Sequence, residues 1–153
     1  MVEPSSIGRL ISIASRQSSM YMNRRLKKYE INYTQFIFLM NIYKTEGLTQ
    51  EAIGEKNFID KAAVTRAVTD LEVKGYIIRK PCKNDKRAKK LYLTDKALGI
   101  QDQLIENINK WEQSWITALD DHEKAILFQQ LSTMVEKNKT TIANIKDEKG
   151  AKK

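Results

Sequence analysis

Arg79-Lys-Pro-Cys-Lys-Asn-Asp-Lys-Arg-Ala-Lys-Lys-Leu-Tyr-Leu-Thr94 reads as the end of one strand, a cationic tip and a returning strand. Between Arg79 and Lys90 seven cations (Arg79, Lys80, Lys83, Lys86, Arg87, Lys89 and Lys90) stand against one acid, Asp85, so this stretch supplies a net six of the formal +8. Such density on a short loop requires full solvation or a nearby polyanion. Tyr76–Lys80 is β-branched and aromatic, and Leu91-Tyr92-Leu93 alternates, so the two runs are expected to pair as a hairpin with residues 82–90 as its tip.

Immediately upstream lies a helix-turn-helix pattern. Thr49 is a good N-cap for a short helix through Lys56, with acids at Glu51 and Glu55 flanking the apolar pair Ala52 and Ile53. Asn57-Phe58-Ile59 connects it to a second helix, capped by Asp60 and running from Lys61 to Lys74, with Gly75 as its stop. Val64, Ala67, Val68 and Leu71 form the inner face of that helix, while Lys61, Thr65, Arg66 and Thr69 lie outward. Before this pair, Thr34 is expected to cap a helix buried through Phe36, Ile37, Leu39, Met40 and Tyr43 and closed by Gly47.

Long helices flank the module. Ile7, Leu10, Ile11, Ala14, Ser18 and Tyr21 share one face of a helix from about Ser6 to Lys28, and Tyr29–Asn32 breaks it. Thr94 or Asp95 opens another, to about Leu119, striped by Leu104, Ile108, Trp111, Trp115 and Leu119; such a helix spans about 37 Å. The last starts at Asp120 and Asp121 and is lined by Leu127, Phe128, Leu131, Met134, Val135, Ile142 and Ile145. These helices either pack within one chain or interleave with a second copy. Apolar stripes at both chain ends, with a compact module between them, favour the homodimer. The expected fold is mainly α with a small β-hairpin wing: one domain over 1–153, with the winged helix-turn-helix at 32–96, dimerisation helices at 5–28 and 97–146, and a disordered tail at 147–153.

Composition excludes several classes. The chain has 153 residues, 27 Lys+Arg against 19 Asp+Glu, one Cys and one His. A lone cysteine, Cys82, forms no intrachain disulfide, which suits a reducing compartment. No signal peptide pattern opens the sequence and no apolar run reaches the ~18 residues that span a bilayer, so a cytoplasmic home with no membrane partner is expected. His122 and Cys82 are too few soft ligands for an all-protein metal site, and no cofactor is expected. With no paired nucleophile and base and no glycine-rich phosphate loop, the chain does not read as an enzyme. Cys82, beside Lys80 and Lys83, reads either as a passive hairpin-end residue or as an oxidisable one.

Together these features describe a protein that grips double-stranded DNA. Small Ala62 and Ala63 let the second helix approach base edges, Thr65 can bond a base or a phosphate, and Arg66 can donate two hydrogen bonds to guanine. Asp85 and Arg87 are two apart, so on an extended strand the carboxylate would steady the guanidinium as Arg87 enters the minor groove. Lys83, Lys86, Lys89 and Lys90 suit phosphates. The alternative is a protein-interaction winged helix whose basic tip meets an acidic protein surface.

The stretch Asp85-Lys-Arg87-Ala-Lys-Lys-Leu91-Tyr-Leu93-Thr94-Asp-Lys-Ala97 resembles the wing signature of the MarR family of bacterial and archaeal winged-helix regulators, in which Asp-x-Arg precedes Leu-x-Leu-Thr and a helix start. Leu48–Ile53 resembles the family's bracing helix, and Lys61–Ile77 its recognition helix and exit. The resemblance implies an obligate homodimer on a pseudo-palindromic operator, more often a repressor than an activator. It maps wing contacts to Asp85 and Arg87 and helix contacts to Lys61, Ala63, Thr65 and Arg66. Many relatives release DNA when a small aromatic acid binds near the dimer helices. Arg16, Tyr29, Tyr33, Met40 and Trp111 fit such a crevice, and fit plain packing equally well.

Overall fold

The computed structural model describes residues 6–150, with side chains as far as residue 145. Its elements are α1 (Ile7–Leu26), a 3-10 turn (Lys27–Tyr29), α2 (Tyr33–Lys44), α3 (Gln50–Lys56), α4 (Lys61–Val73), β1 (Ile77–Pro81), β2 (Lys89–Leu93), α5 (Asp95–Ile116) and α6 (Asp121–Gly150). They fall into two compact units, residues 1–111 and 112–153. The helix reaches Gly150, four residues into the stretch expected as a tail; residues 151–153 lie outside the described residues.

The first unit is built on a core of Met22, Leu26, Phe36, Phe38, Leu39, Ile42, Ile53, Val64, Val68, Leu71, Ile77, Leu91 and Leu104. In α1 the buried positions are Met22 and Leu26, with Ser18 and Tyr21 half-buried, while Ile7 and Leu10 of the expected face are exposed. The cap of α2 lies two residues earlier than expected. Asn32, not Thr34, is its cap: Asn32 Oδ1 accepts from the Gln35 N–H at 2.9 Å, and Gln35 Oε1 accepts from the Asn32 N–H at 3.0 Å. Phe38 and Ile42 are fully buried, whereas Ile37, Met40 and Tyr43 are only half-buried. The helix is apolar nearly all round, so spacing alone could not choose its inner face. Gly47 does not close α2, which ends at Lys44 with Thr45 extended. Its φ of +79° instead shapes the following turn, from which its N–H donates to the Leu91 carbonyl at 2.9 Å.

The hairpin pairs antiparallel in the register Ile77↔Leu93, Arg79↔Leu91 and Pro81↔Lys89. Residues 82–88 form its tip, slightly shorter than expected. Thr94 settles the choice of cap for α5: its Oγ1 accepts from the Ala97 N–H at 3.3 Å and also donates to the Gly75 carbonyl at 2.6 Å. α5 stops at Ile116 rather than Leu119, because Ala118 and Leu119 turn back onto the Trp115 and Ile116 carbonyls. Tyr43 ties α2 to α5 by donating to the Ala97 carbonyl, and burial pushes its hydroxyl up to about 12, so it stays a donor at neutral pH.

α3 and α4 meet where Gly54 faces Val64. A methyl group on Gly54 would stand 2.5 Å from Val64 Cγ2. Val64 is buried and β-branched, so it yields little. Gly54→Ala gains up to about 1 kcal/mol of helix propensity but loses about 1–3 kcal/mol to overpacking. The expected net is a thermal midpoint lower by roughly 2–6 °C, read from a calorimetric melt.

Candidate nucleic-acid interface

Asp60 opens α4 by accepting from the Ala63 N–H at 2.9 Å. Val64, Ala67, Val68 and Leu71 point inward and are buried, as their spacing requires. Lys61, Ala62, Thr65, Arg66 and Thr69 are exposed, and Ala63 is half-buried. Thr65 turns its hydroxyl back to the Lys61 carbonyl at 3.0 Å, leaving lone pairs and a methyl for a ligand. Arg66 lies on the flank toward α2, lining an open hollow of about 220 Å³ with Asn32, Thr34, Gln35, Ala63, Ala67 and Asp70. Gln35, which the sequence reading passed over, is buried and donates to Asp70 Oδ2 at 3.2 Å, joining α2 to α4. Its position at the third residue after an Asn cap was the available signal.

The wing tip differs from the expected extended strand. Residues 85–88 form a tight turn in which Asp85 Oδ1 accepts from the backbone N–H of Arg87 at 2.9 Å. The Ala88 N–H then donates to the Asp85 carbonyl at 3.2 Å, and the Cys82 N–H to the Ala88 carbonyl at 3.0 Å. Asp85 thus holds the backbone of Arg87, not its guanidinium. A carboxylate at the first position of a turn bonds the N–H two residues on more readily than a long side chain. Lys83, Lys86, Arg87, Lys89 and Lys90 are exposed, and none of them joins an ion pair among the described residues.

The other two cations of the stretch are engaged. Arg79 donates through Nε to Glu72 Oε2 at 2.9 Å and through its terminal nitrogen to the same oxygen. These bonds hold the Glu72 carboxyl below its usual range and the guanidinium above its own. Lys80 stands over the Tyr92 ring, 4.8 Å from its centre. Neither partner was singled out from the sequence, although Glu72 sits in the last turn of α4 and strand alternation puts Arg79 on the face of Ile77.

Of the residues suited to an effector crevice, Tyr29 bonds Gln103, and Tyr33 contacts Ser18 at 3.4 Å and stacks on Phe36. Trp111 lies 5.1 Å from Tyr21, Met40 packs on the core, and Arg16 is exposed. Cys82 is half-buried and His122 is exposed. No described helix is long and apolar enough to cross a membrane.

Comparison with known proteins bears on the whole arrangement. Residues 29–88 match the family model described as MarR family. The chain is 28% identical over 129 residues to the HTH-type transcriptional regulator SarZ of Staphylococcus aureus, covering 84% of this chain and 86% of that protein. A MarR family transcriptional regulator from Listeria monocytogenes, crystallised with a 26mer DNA, superposes with a TM-score of 0.89 at 26% identity, covering 94% of this chain and 95% of that one. A MarR transcriptional regulator from Methanosarcina mazei Go1 gives 0.81 at 27% identity, covering 90% and 92%. The capped outward-facing helix, the basic hairpin beside it and these similarities converge: in fold and in sequence the chain is similar to winged helix-turn-helix transcriptional regulators of the MarR family.

Proposed function

We propose that this chain is a sequence-specific double-stranded DNA-binding regulator, acting as a homodimer on a pseudo-palindromic operator and repressing by occlusion. The observation that carries this reading is the placement, in one compact unit, of an exposed polar helix face on α4 and five exposed cations on the adjoining tip. α4 has the length and outward chemistry to enter a major groove. Arg87, presented on the Asp85-organised turn, suits the narrow minor groove, and Lys86 and Lys89 suit phosphates. The DNA in the Listeria relative's crystal supports extending the same partner to this chain.

The dimer is proposed from α6. Phe128, Leu131, Val135, Ile142 and Ile145 recur at alternating spacings of three, four and seven, the seam of a coiled coil, and Asn138 occupies the remaining seam position. All five apolar residues are exposed, Phe128 at 76%. A second subunit would cover them and set two recognition helices about 34–36 Å apart, one turn of duplex. A dimer of that span covers enough of a promoter to exclude polymerase, and it works where chromosomal DNA lies, in the cytoplasm.

Selection of bound duplexes from a random pool tests the reading. Enrichment of an inverted repeat with half-sites one turn apart is expected; recovery of unenriched sequence, or no retention at low salt, refutes it. With the selected duplex, log affinity should fall against log salt by about 0.9 per neutralised phosphate. Lys86→Ala should flatten that slope by about one for each subunit and weaken all sequences alike, as measured by anisotropy titration across salt.

A further inference from the structure

We infer that Glu72 and Arg79 are a positioning pair that aims the wing relative to the recognition helix, and that Arg79, although cationic, does not contact DNA. This inference rests on the proposed DNA-binding function and adds a residue role to it. Five ion pairs occur among the described residues. Four of them join positions three or four apart in sequence. The fifth, Glu72 with Arg79, joins α4 to β1.

Its place along the hairpin gives it leverage. The root is held near Gly75, where the Tyr76 N–H donates to the Leu71 carbonyl at 2.9 Å and Thr94 and Lys96 bond the carbonyls of Gly75 and Lys74. Further out, Arg79 pairs in register with Leu91. At that level the β2 edge is held by the buried Leu91 side chain and by its backbone: Leu91 accepts from the Gly47 N–H and donates to the Leu48 carbonyl, both at 2.9 Å. The β1 edge is gripped at the same level by the Arg79 guanidinium on Glu72. Beyond this collar the side chains of Pro81, Lys83, Lys86, Arg87 and Lys89 are all exposed. With only that edge held, the hairpin retains a twist about it. Two charge-assisted bonds from the Arg79 guanidinium, converging on one Glu72 oxygen, tie down the opposite edge and restrain that twist. Lys83, Lys86 and Arg87 lie four or more residues beyond the collar, an overhang of about 10 Å, so a small twist at Arg79 becomes a large displacement of Arg87.

Simple electrostatics and positioning predict opposite signs for one substitution. Glu72→Gln removes a negative charge near the tip, so a field effect alone would tighten DNA binding. A positioning role predicts weaker binding and a looser wing. The single cysteine, Cys82, lies three residues beyond Arg79 and takes a nitroxide label that reports wing mobility by electron paramagnetic resonance, without DNA. Expected results for Glu72→Gln and for Arg79→Lys are a more mobile label and affinity for the pool-selected duplex reduced about ten-fold. Far-ultraviolet dichroism should be unchanged, and the exchanged pair Glu72→Arg with Arg79→Glu should restore both readouts to within about two-fold of the unaltered chain. Tighter or unchanged binding by Glu72→Gln overturns the inference, as does an unchanged label spectrum or an exchanged pair that folds without restoring either readout. If the unaltered chain selects no duplex, the DNA-binding reading fails, while the label measurements still decide whether the pair holds the wing.

Discussion

Arg87→Ala is expected to weaken binding of the selected operator by roughly 10²- to 10⁴-fold while leaving the thermal midpoint unchanged. Arg87 is exposed and makes no ion pair among the described residues, so its removal opens no cavity and strands no partner. Its backbone is fixed by the Asp85 carboxylate, so binding has only the side chain left to order. Hydrogen bonds to charged groups contribute about 1.5–3 kcal/mol each. Two wings on one operator lose the contact twice, which gives about 3–6 kcal/mol. Arg87→Lys should fall between, since it keeps the charge and loses the planar fork. Asp85→Ala should incur part of the same loss indirectly, by loosening the turn without touching the cation. Operator binding by Arg87→Ala equal to that of the unaltered chain, measured by anisotropy at fixed salt, would remove the wing from the interface.

The second large effect concerns assembly. Phe128→Glu combined with Val135→Glu places two carboxylates seven residues apart on the exposed seam of α6. In a lone subunit these positions face solvent, so the substitutions cost little there. In a dimer they would bury unpaired charge, which costs several kcal/mol. Sedimentation should therefore show single subunits, with the first unit still folded. Operator affinity should then drop by roughly 10²–10⁴-fold, because the second half-site loses the effective concentration supplied by a linked partner. Shifting the half-sites apart by half a turn should produce a comparable loss with the unaltered dimer, since the recognition helices would face opposite sides of the duplex. A double variant that remains dimeric would locate the dimer seam elsewhere on the chain.

The readable parts of the fold were those where one local signal dominates. α4 is the clearest case: an Asp cap, apolar residues at spacings of three and four, a polar outer face and Gly75 as a stop fixed its ends and its buried side before any neighbour was considered. The hairpin was legible for a similar reason, since alternation and β-branching bracket a polar tip. α2 resisted, because eight apolar or aromatic side chains crowd a twelve-residue helix and periodicity then carries no direction. Its true cap also lay two residues before the expected one, where Asn32 and Gln35 satisfy each other.

Sequence by itself determined the order of elements, the outward chemistry of α4 and the cationic tip, because cap, turn and periodic signals act within a few residues along the chain. Only the tertiary structure decided which cations remain available. Arg79 is taken up by a carboxylate seven residues back, Lys80 by the Tyr92 ring, and Asp85 is spent on a backbone N–H rather than on the guanidinium it was expected to steady. Charge is a property of a residue, but its availability depends on which partner the folded backbone brings within about 5 Å of it, and spacing along the chain does not choose among the candidates.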